Sequence, residues 1–368
     1  MTTRSGQFVT RYDPDRTSLD ALLSGEPRYR VDQVWRGLYA DVVPLDEVTT
    51  LPKALRARLA DTLPAALEET TRSTSPDGNT TKLLWTLHGG ATVETVLMLY
   101  PDRATVCVST QAGCAMACSF CATGQAGFER HLSVGEIVEQ VARAIVLARP
   151  RRVSNIVFMG MGEPLANADS TLSSARRIHD AFGISARHIT VSTVGLVPGI
   201  LRLADEPLPL NLAVSLHAAD DDLRNELVPI NRRYPLDRLA EACRTYVDAT
   251  HRRLSFEWAM IDGVNDRDAD ADRLAAYANP LRAHVNLIPL NPTPGYGVTG
   301  TSAIEIRAFA DRLADHGVNA TIRANRGTDI DAACGQLRTR HAESVAVTLG
   351  RPQGPTPVDG PPRSRLGE

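Results

Sequence analysis

The sequence predicts an α/β fold, a partial (β/α) barrel behind a small N-terminal helical domain. Two observations carry that expectation. From Arg103 onward, short apolar β-type runs alternate with helical patterns through about 240 residues, which is the order of a mostly parallel sheet. Residues 1–75 instead show apolar positions at helical spacing, with no cluster of reactive side chains.

Taken in order, the helical patterns of residues 1–75 are "VDQVWRGLYA" and "LPKALRARLADTLPAALEE". "STSPDGNT" (73–80) supplies a turn-rich joint. "TKLLWTLHGGATVETVLMLY" then reads as a hairpin folded at Gly89 and Gly90, within an extension over 76–102. The barrel proper is expected over 103–349. Its strands are "ATVCVS", "NIVFMG", "HITVST", "NLAVSL", "LSFEWAMI", "HVNLIPL" and "NATIRA". Helices lie between them, such as "SVGEIVEQVARAIVLA", opened by a capping box of Ser133 and Glu136, and "SAIEIRAFADRLADHG", closed by Gly317. The stretch 350–368 is too rich in Pro and Gly to pack and is expected to be a disordered tail.

Composition narrows the function classes. The 368 residues, 43% of them hydrophobic, can bury one large core and a small appended domain. No run approaches the roughly 20 apolar residues that span a bilayer, and no apolar stretch follows the first charges as in a secretory signal, so a cytoplasmic protein without membrane contact is expected. A formal charge of −3 argues against a generally basic nucleic-acid binder. Lys53 and Lys82 are the only lysines. Arginine suits phosphate recognition, although an Arg- and Ala-rich chain more often reflects genome composition.

Six cysteines in a reducing compartment do not suggest a disulfide framework. Three of them crowd into "GCAMACSFCATG", at Cys114, Cys118 and Cys121, directly after the first barrel strand. Protein-held zinc and iron–sulfur sites usually take four ligands, and here only three stand together. The C-x3-C-x2-C spacing in that position resembles the radical S-adenosylmethionine (radical SAM) superfamily. That resemblance implies a [4Fe-4S] cluster bound through three irons, with the fourth iron open to the amino and carboxylate groups of S-adenosylmethionine. A three-cysteine zinc site completed by a distant histidine such as His131, or chance crowding, is the alternative reading of the residues.

A parallel barrel carries its site at the carboxyl ends of its strands. There the sequence places Gly162 and Glu163, then Ser192, then Ser215, Leu216 and His217, and finally Asn291. "GEP" after the second strand resembles the superfamily's motif for the cofactor's amino group. His217 alone could equally be a satisfied structural histidine. Cys334, on the Gly- and Asp-rich stretch "RANRGTDIDAACGQLR", stands where a core cysteine is not expected.

Taken together, "CVSTQAGCAMACSFCATGQAGF", "NIVFMGMGEPLAN", "SLHAADDDLRNELVPINRRYP", "NLIPLNPTPG" and "RGTDIDAACGQL" resemble the RlmN family of bacterial adenine-C2 RNA methyltransferases over about residues 29–345. Ala112 and His131 depart from that pattern at positions without chemistry. The resemblance implies a radical SAM-type barrel, one [4Fe-4S] cluster per chain on Cys114, Cys118 and Cys121, and S-adenosylmethionine bound by Gly162, Glu163, Ser192, Ser215, Leu216, His217 and Asn291. It further implies that Cys334 carries the methyl group as S-methylcysteine, with two S-adenosylmethionine molecules consumed per methylation. Glu94 would accept the ring proton, and Cys107 would release the product by forming a transient disulfide with Cys334. By pattern alone Glu94 reads as an ordinary strand residue, Cys107 as a buried strand cysteine, and Cys243 as a core residue of its helix.

The implied partners are 23S rRNA and tRNA, with an electron donor such as flavodoxin or ferredoxin, and the chain is expected to be a monomer. RNA handling would fall to the N-terminal domain, where "YRVDQVWRGLY" offers aromatic and arginine side chains on a helix that can equally pack into a small core. Two other readings stay open: the related methyltransferase acting on adenine C8, and a non-catalytic zinc or redox RNA-binding protein.

Overall fold

The computed structural model describes residues 8–291, 297–324, 327–332, 336 and 337. Cys334 and the tail expected at 350–368 lie outside the described residues. The apolar runs pair into one ten-stranded sheet. Its first strands, β1 (Leu67–Thr74), β2 (Thr80–Leu87) and β3 (Thr92–Leu99), form an antiparallel meander that hands on to β4 (Ala104–Cys107). β5 (Gln111–Gly113) and β6 (Phe128–His131) leave this sheet and pair with each other.

From β4 the main sheet continues in parallel through β7 (Val153–Phe158), β8 (Ile189–Thr193), β9 (Asn211–Ser215), β10 (Leu254–Met260), β11 (His284–Pro289) and β12 (Ala320–Ile322). These are the seven strands expected from the sequence. Among the described residues β12 pairs with β11 alone, so the barrel is partial. Ile156, Val191, Val214, Phe256 and Val285 are fully buried on these strands, as a sheet covered on both faces requires.

The helix Val134–Ala148 opens as the sequence predicts: Ser133 Oγ accepts from the Glu136 N–H, and the Glu136 carboxylate accepts from the Ser133 N–H. One expectation needs correction. The helical reading of 51–69 holds only for Lys53–Thr62, and Leu67 already begins β1. Pro64 forces Leu63 out of helical geometry, and the Thr-rich run beyond it finds hydrogen-bond partners along β2.

The N-terminal helices dock on the barrel through charged and aromatic contacts. The Asp13 carboxylate accepts from the Gly135 N–H at 2.7 Å. Arg177 donates to the Pro14 carbonyl and the Tyr39 hydroxyl, both at 2.8 Å. Trp35 lies beneath the guanidinium groups of Arg16 and Arg177, and Tyr39 packs edge-on against Phe182. Most aromatic side chains of the "YRVDQVWRGLY" helix are thus spent on packing, while Tyr29 remains exposed.

Candidate active site

The open barrel encloses a cavity of about 490 Å³, within the range of small-molecule sites, about 300–1,000 Å³. Cys107, Cys114, Cys118, Cys121, Gly162, Glu163, Ser192, Ser215, His217 and Asn291 all line it. Residues as far apart as Cys107 and Asn291, 184 positions, therefore meet because the fold brings the carboxyl ends of its parallel strands together.

The triplet cysteines sit on a loop shaped by backbone constraints. Gly113 adopts φ +73°, and a Cβ there would lie 2.0 Å from the Gly127 carbonyl oxygen. That close crossing lets the Cys114 N–H donate to the same oxygen at 2.7 Å. Ala117 holds a left-handed φ of 53° without being glycine, a strain typical of functional loops. Beneath the loop, Cys118 and Phe120 pack with Ala218, Leu227, Val228, Ala259 and Ile261 in a small apolar cluster of their own.

Burial pushes the Cys114 thiol up to about 12 and Cys118 well above its ordinary value. Such thiols become thiolates when a cationic centre takes them as ligands. Among the described residues no three His, Cys, Asp or Glu side chains gather as ligands of a single ion. Cys114, Cys118 and Cys121 all line the cavity, so three thiols are available to a group seated there. His131 is exposed, and its Nδ1 is paired with Gln111.

Glu163 is the electrostatic centre of the opposite wall. Its Oε1 accepts from the Leu165 N–H at 3.0 Å and its Oε2 from the Val194 N–H at 2.9 Å. Burial nevertheless raises its pKa to about 7, against the pull of those donors. A buried carboxylate of this kind gains most from an incoming ammonium group. Gly162 precedes it at φ +101°, where a Cβ would strike Gln111 at 2.5 Å. Gln111 in turn accepts the Glu163 N–H at 2.7 Å, so β5 fixes the turn.

His217 is a structurally satisfied histidine. Its Nδ1 accepts the Ala259 N–H at 3.0 Å, its ring meets Phe120 edge-on, and it also faces the cavity. Burial first, and Arg224 second, lower its pKa to about 3, so the ring is neutral. Leu216 does not line the cavity. It contributes backbone, its N–H donating to the Glu257 carbonyl at 3.0 Å.

Two residues of this wall escape a sequence reading. Arg224 is fully buried and donates to the carbonyls of Leu216 and Val194 at 3.0 and 2.7 Å and to Asn231 Oδ1 at 2.6 Å. It clamps the ends of β8 and β9 together. Glu257, opposite Ser215 on β10, faces the cavity held by Asn286 Nδ2 at 2.8 Å and Ser255 Oγ at 3.0 Å. Arg224 sits in a charged helix that reads as a solvated face. Glu257 was detectable only as a carboxylate inside an otherwise apolar strand.

Cys107 ends β4 and is buried at the cavity wall. Glu94 lies on β3 two residues before Val96, which pairs with Cys107. Glu94 itself is 3% exposed and does not line the cavity, whereas Val96 does. Ala332 and Leu337, on either side of Cys334, both line the cavity. The Asp331 carbonyl accepts from Lys82 Nζ at 3.2 Å, and the Leu337 carbonyl from Thr123 Oγ1 at 2.6 Å. Asp331 is thereby tied to β2, and Leu337 to the short helix Ala122–Gln125 that follows Cys121. Cys243 is a fully buried helix residue.

The family model described as "Radical SAM superfamily" matches residues 108–275. The "Probable dual-specificity RNA methyltransferase RlmN" of Chloroflexus aurantiacus is 50% identical over 349 residues, covering 90% of this chain and 93% of that protein. The "Dual-specificity RNA methyltransferase RlmN 1" of Myxococcus xanthus is 50% identical over 336 residues, covering 89% and 93%. Among solved structures, a radical SAM methyltransferase from Sphaerobacter thermophilus superposes with a TM-score of 0.88 at 50% identity, covering 90% of this chain and 99% of that one.

Proposed function

The chain belongs to the RlmN family of radical SAM RNA methyltransferases, and from that premise we propose which RNA atom it methylates and which side chains do the work. It is an enzyme of RNA methylation. Its family in general uses S-adenosylmethionine and an iron–sulfur cluster. The reading proposed is methylation of carbon 2 of an adenine in 23S rRNA, and of an adenine in the tRNA anticodon loop, through a carrier thiol. The observation that carries it is the shared cavity: three cluster-type cysteines, Cys107 and both flanks of Cys334 line one space.

A carrier is needed because adenine C2 is too weak a nucleophile to attack a sulfonium methyl and its hydrogen too weakly acidic to be removed first. Cys114, Cys118 and Cys121 would hold one [4Fe-4S] cluster. When bound, that cluster supplies the electron that splits the sulfonium of S-adenosylmethionine and so provides a hydrogen-abstracting radical. Glu163 would receive the cofactor's ammonium, with Gly162, Ser192, Ser215, Leu216, His217 and Asn291 completing the cradle.

Cys334 would take a methyl from one S-adenosylmethionine by displacement. A second molecule is consumed in activating that methyl for addition to the ring, which joins enzyme and RNA through the Cys334 sulfur. Glu94 would then accept the C2 proton while the adduct's unpaired electron returns to the one-electron carrier. The Cys107 thiolate would attack the Cys334 sulfur, the carbon–sulfur bond breaking with its electron pair on carbon, which takes a proton to become the product methyl, and the disulfide formed is reduced by external thiol.

A flavodoxin or ferredoxin would serve as reductant. The functional division would be an RNA-handling region over 1–75, the 76–102 extension and the barrel over 103–349, in a monomer acting in the cytoplasm. No helix of the described residues is long and apolar enough to cross a membrane.

The test is anaerobic incubation with S-adenosylmethionine, reductant and unmodified 23S rRNA fragments or tRNA, followed by nucleoside mass spectrometry. 2-Methyladenosine is expected. 8-Methyladenosine would assign the chain to the C8 reaction, and a colourless zinc protein without product would overturn the reading.

A further inference from the structure

The sequence reading left Lys82 without a role, and the structure gives it one. Resting on the function proposed above, we propose that Lys82 is a positioning residue of the methylation reaction: it holds the Glu94 carboxylate charged and in place, and ties the Cys334 segment to the same strand pair.

The geometry is a row across three strands. Lys82 on β2 stands opposite Val96 on β3, and Val96 stands opposite Cys107 on β4. Residues directly opposite in antiparallel strands share a face, here the face that Val96 and Cys107 present to the cavity. Lys82 Nζ lies 3.2 Å from Glu94 Oε1 and donates to the Asp331 carbonyl at 3.2 Å. One ammonium thus bridges the proton acceptor and the segment that carries the methyl.

A base at this place needs such help. The Glu94 side chain is 3% exposed and that of Lys82 14%, and burial disfavours a lone carboxylate in its charged form. A cation within about 4–6 Å reverses that preference. Among the described residues Glu94 forms an ion pair with Lys82, and the neighbouring elements also bring the ionisable Asp331 and Cys107 to this strand pair. The helix Val134–Ala148 covers the opposite strand face, where Thr95 bonds Gln140. Its Glu136 and Glu139 are paired there with Arg130, Arg11 and Arg143. Lysine also fits the task by shape. A compact ammonium can point its protons at a carboxylate and a carbonyl at once, whereas a planar guanidinium suits forked partners. The chain uses lysine at only one other position, Lys53, among its 40 lysines and arginines.

The step balances when the C2–H bond of the RNA–enzyme adduct breaks, its electron pair restores the aromatic ring, the proton goes to Glu94, and the adduct's one unpaired electron returns to the one-electron carrier that started the cycle. Loss of the Lys82 charge therefore affects adduct resolution and leaves the earlier methyl loading of Cys334 in place.

The experiment compares wild type, Lys82→Met and Lys82→Arg, each reconstituted with iron and sulfide and supplied with S-adenosylmethionine, reductant and RNA between pH 6 and 9. Three readouts are followed: methyl on Cys334 by peptide mass, denaturation-resistant RNA–protein adduct, and methylated adenosine. Lys82→Met is expected to load Cys334 within about threefold of wild type and to accumulate adduct. Its product formation should fall at least tenfold at pH 7 and recover at higher pH, an upward shift of about one unit or more. Lys82→Arg should keep the wild-type pH midpoint while losing some rate. An unshifted pH profile in Lys82→Met overturns the proposal. So does loss of Cys334 methylation in both variants, which would make Lys82 a purely structural tie. Wild-type enzyme that forms neither methyl-Cys334 nor methylated adenosine overturns the underlying functional reading instead.

Discussion

Thr123 donates its hydroxyl to the Leu337 carbonyl over 2.6 Å, fastening Leu337 to the short helix Ala122–Gln125 that follows Cys121. The bond is buried and joins residues 214 positions apart. Replacing Thr123 with valine keeps the volume but leaves a buried carbonyl without its donor, at a cost of about 1–3 kcal/mol. Product formation should fall roughly tenfold while iron content stays at the wild-type level. Equal loss of iron and activity would mean that Thr123 supports the cluster loop alone.

Each of Cys114→Ala, Cys118→Ala and Cys121→Ala should abolish iron retention and the brown absorbance of the anaerobic protein. The C-x3-C-x2-C triplet offers one thiolate per iron, so loss of any one leaves an iron without its protein ligand. Full iron content in any one variant would remove that cysteine from the ligand set.

Arg224 binds four backbone or side-chain oxygens from inside the core. Arg224→Ala should destabilise the fold by about 3 kcal/mol or more, read as a lower denaturant midpoint, because it strands buried acceptors and opens a cavity. A change below about 1 kcal/mol would show that water replaces the guanidinium freely.

Glu163 gives the clearest pH signature. The unfolded chain releases its proton near 4.5, whereas the folded chain holds it to about 7. Between those values the folded state binds more protons, so this group's contribution to stability falls as pH rises through the window and levels off above it. In iron-free protein, the stability of wild type relative to Glu163→Gln should drop by on the order of 3 kcal/mol from pH 4 to pH 8. A difference independent of pH would mean that Glu163 ionises as freely as in the unfolded chain.

The barrel strands were legible because buried parallel strands are short apolar runs, and the polar residues at their ends stood out against them. The cysteine triplet was legible by spacing. Lys82, Arg224 and Glu257 were not, because a charged residue within a strand or helix looks solvent-facing until cross-strand register and burial are known. Lys82 and Glu94 share one face only through the β2–β3 pairing. The helix expected over 51–69 overran because its apolar spacing continues past Pro64, where backbone geometry ends it.

The central claim is that Cys107 and Cys334 act as a pair on a covalently held RNA. The most direct measurement is the Cys107→Ala variant, incubated anaerobically with S-adenosylmethionine, reductant and RNA and then denatured. Methyl loading and radical addition need no second thiol, so the variant should accumulate an RNA–protein crosslink that survives denaturation and disappears when Cys334 is also replaced by alanine. Free turnover by Cys107→Ala without added thiol, or a crosslink that persists without Cys334, would contradict the account.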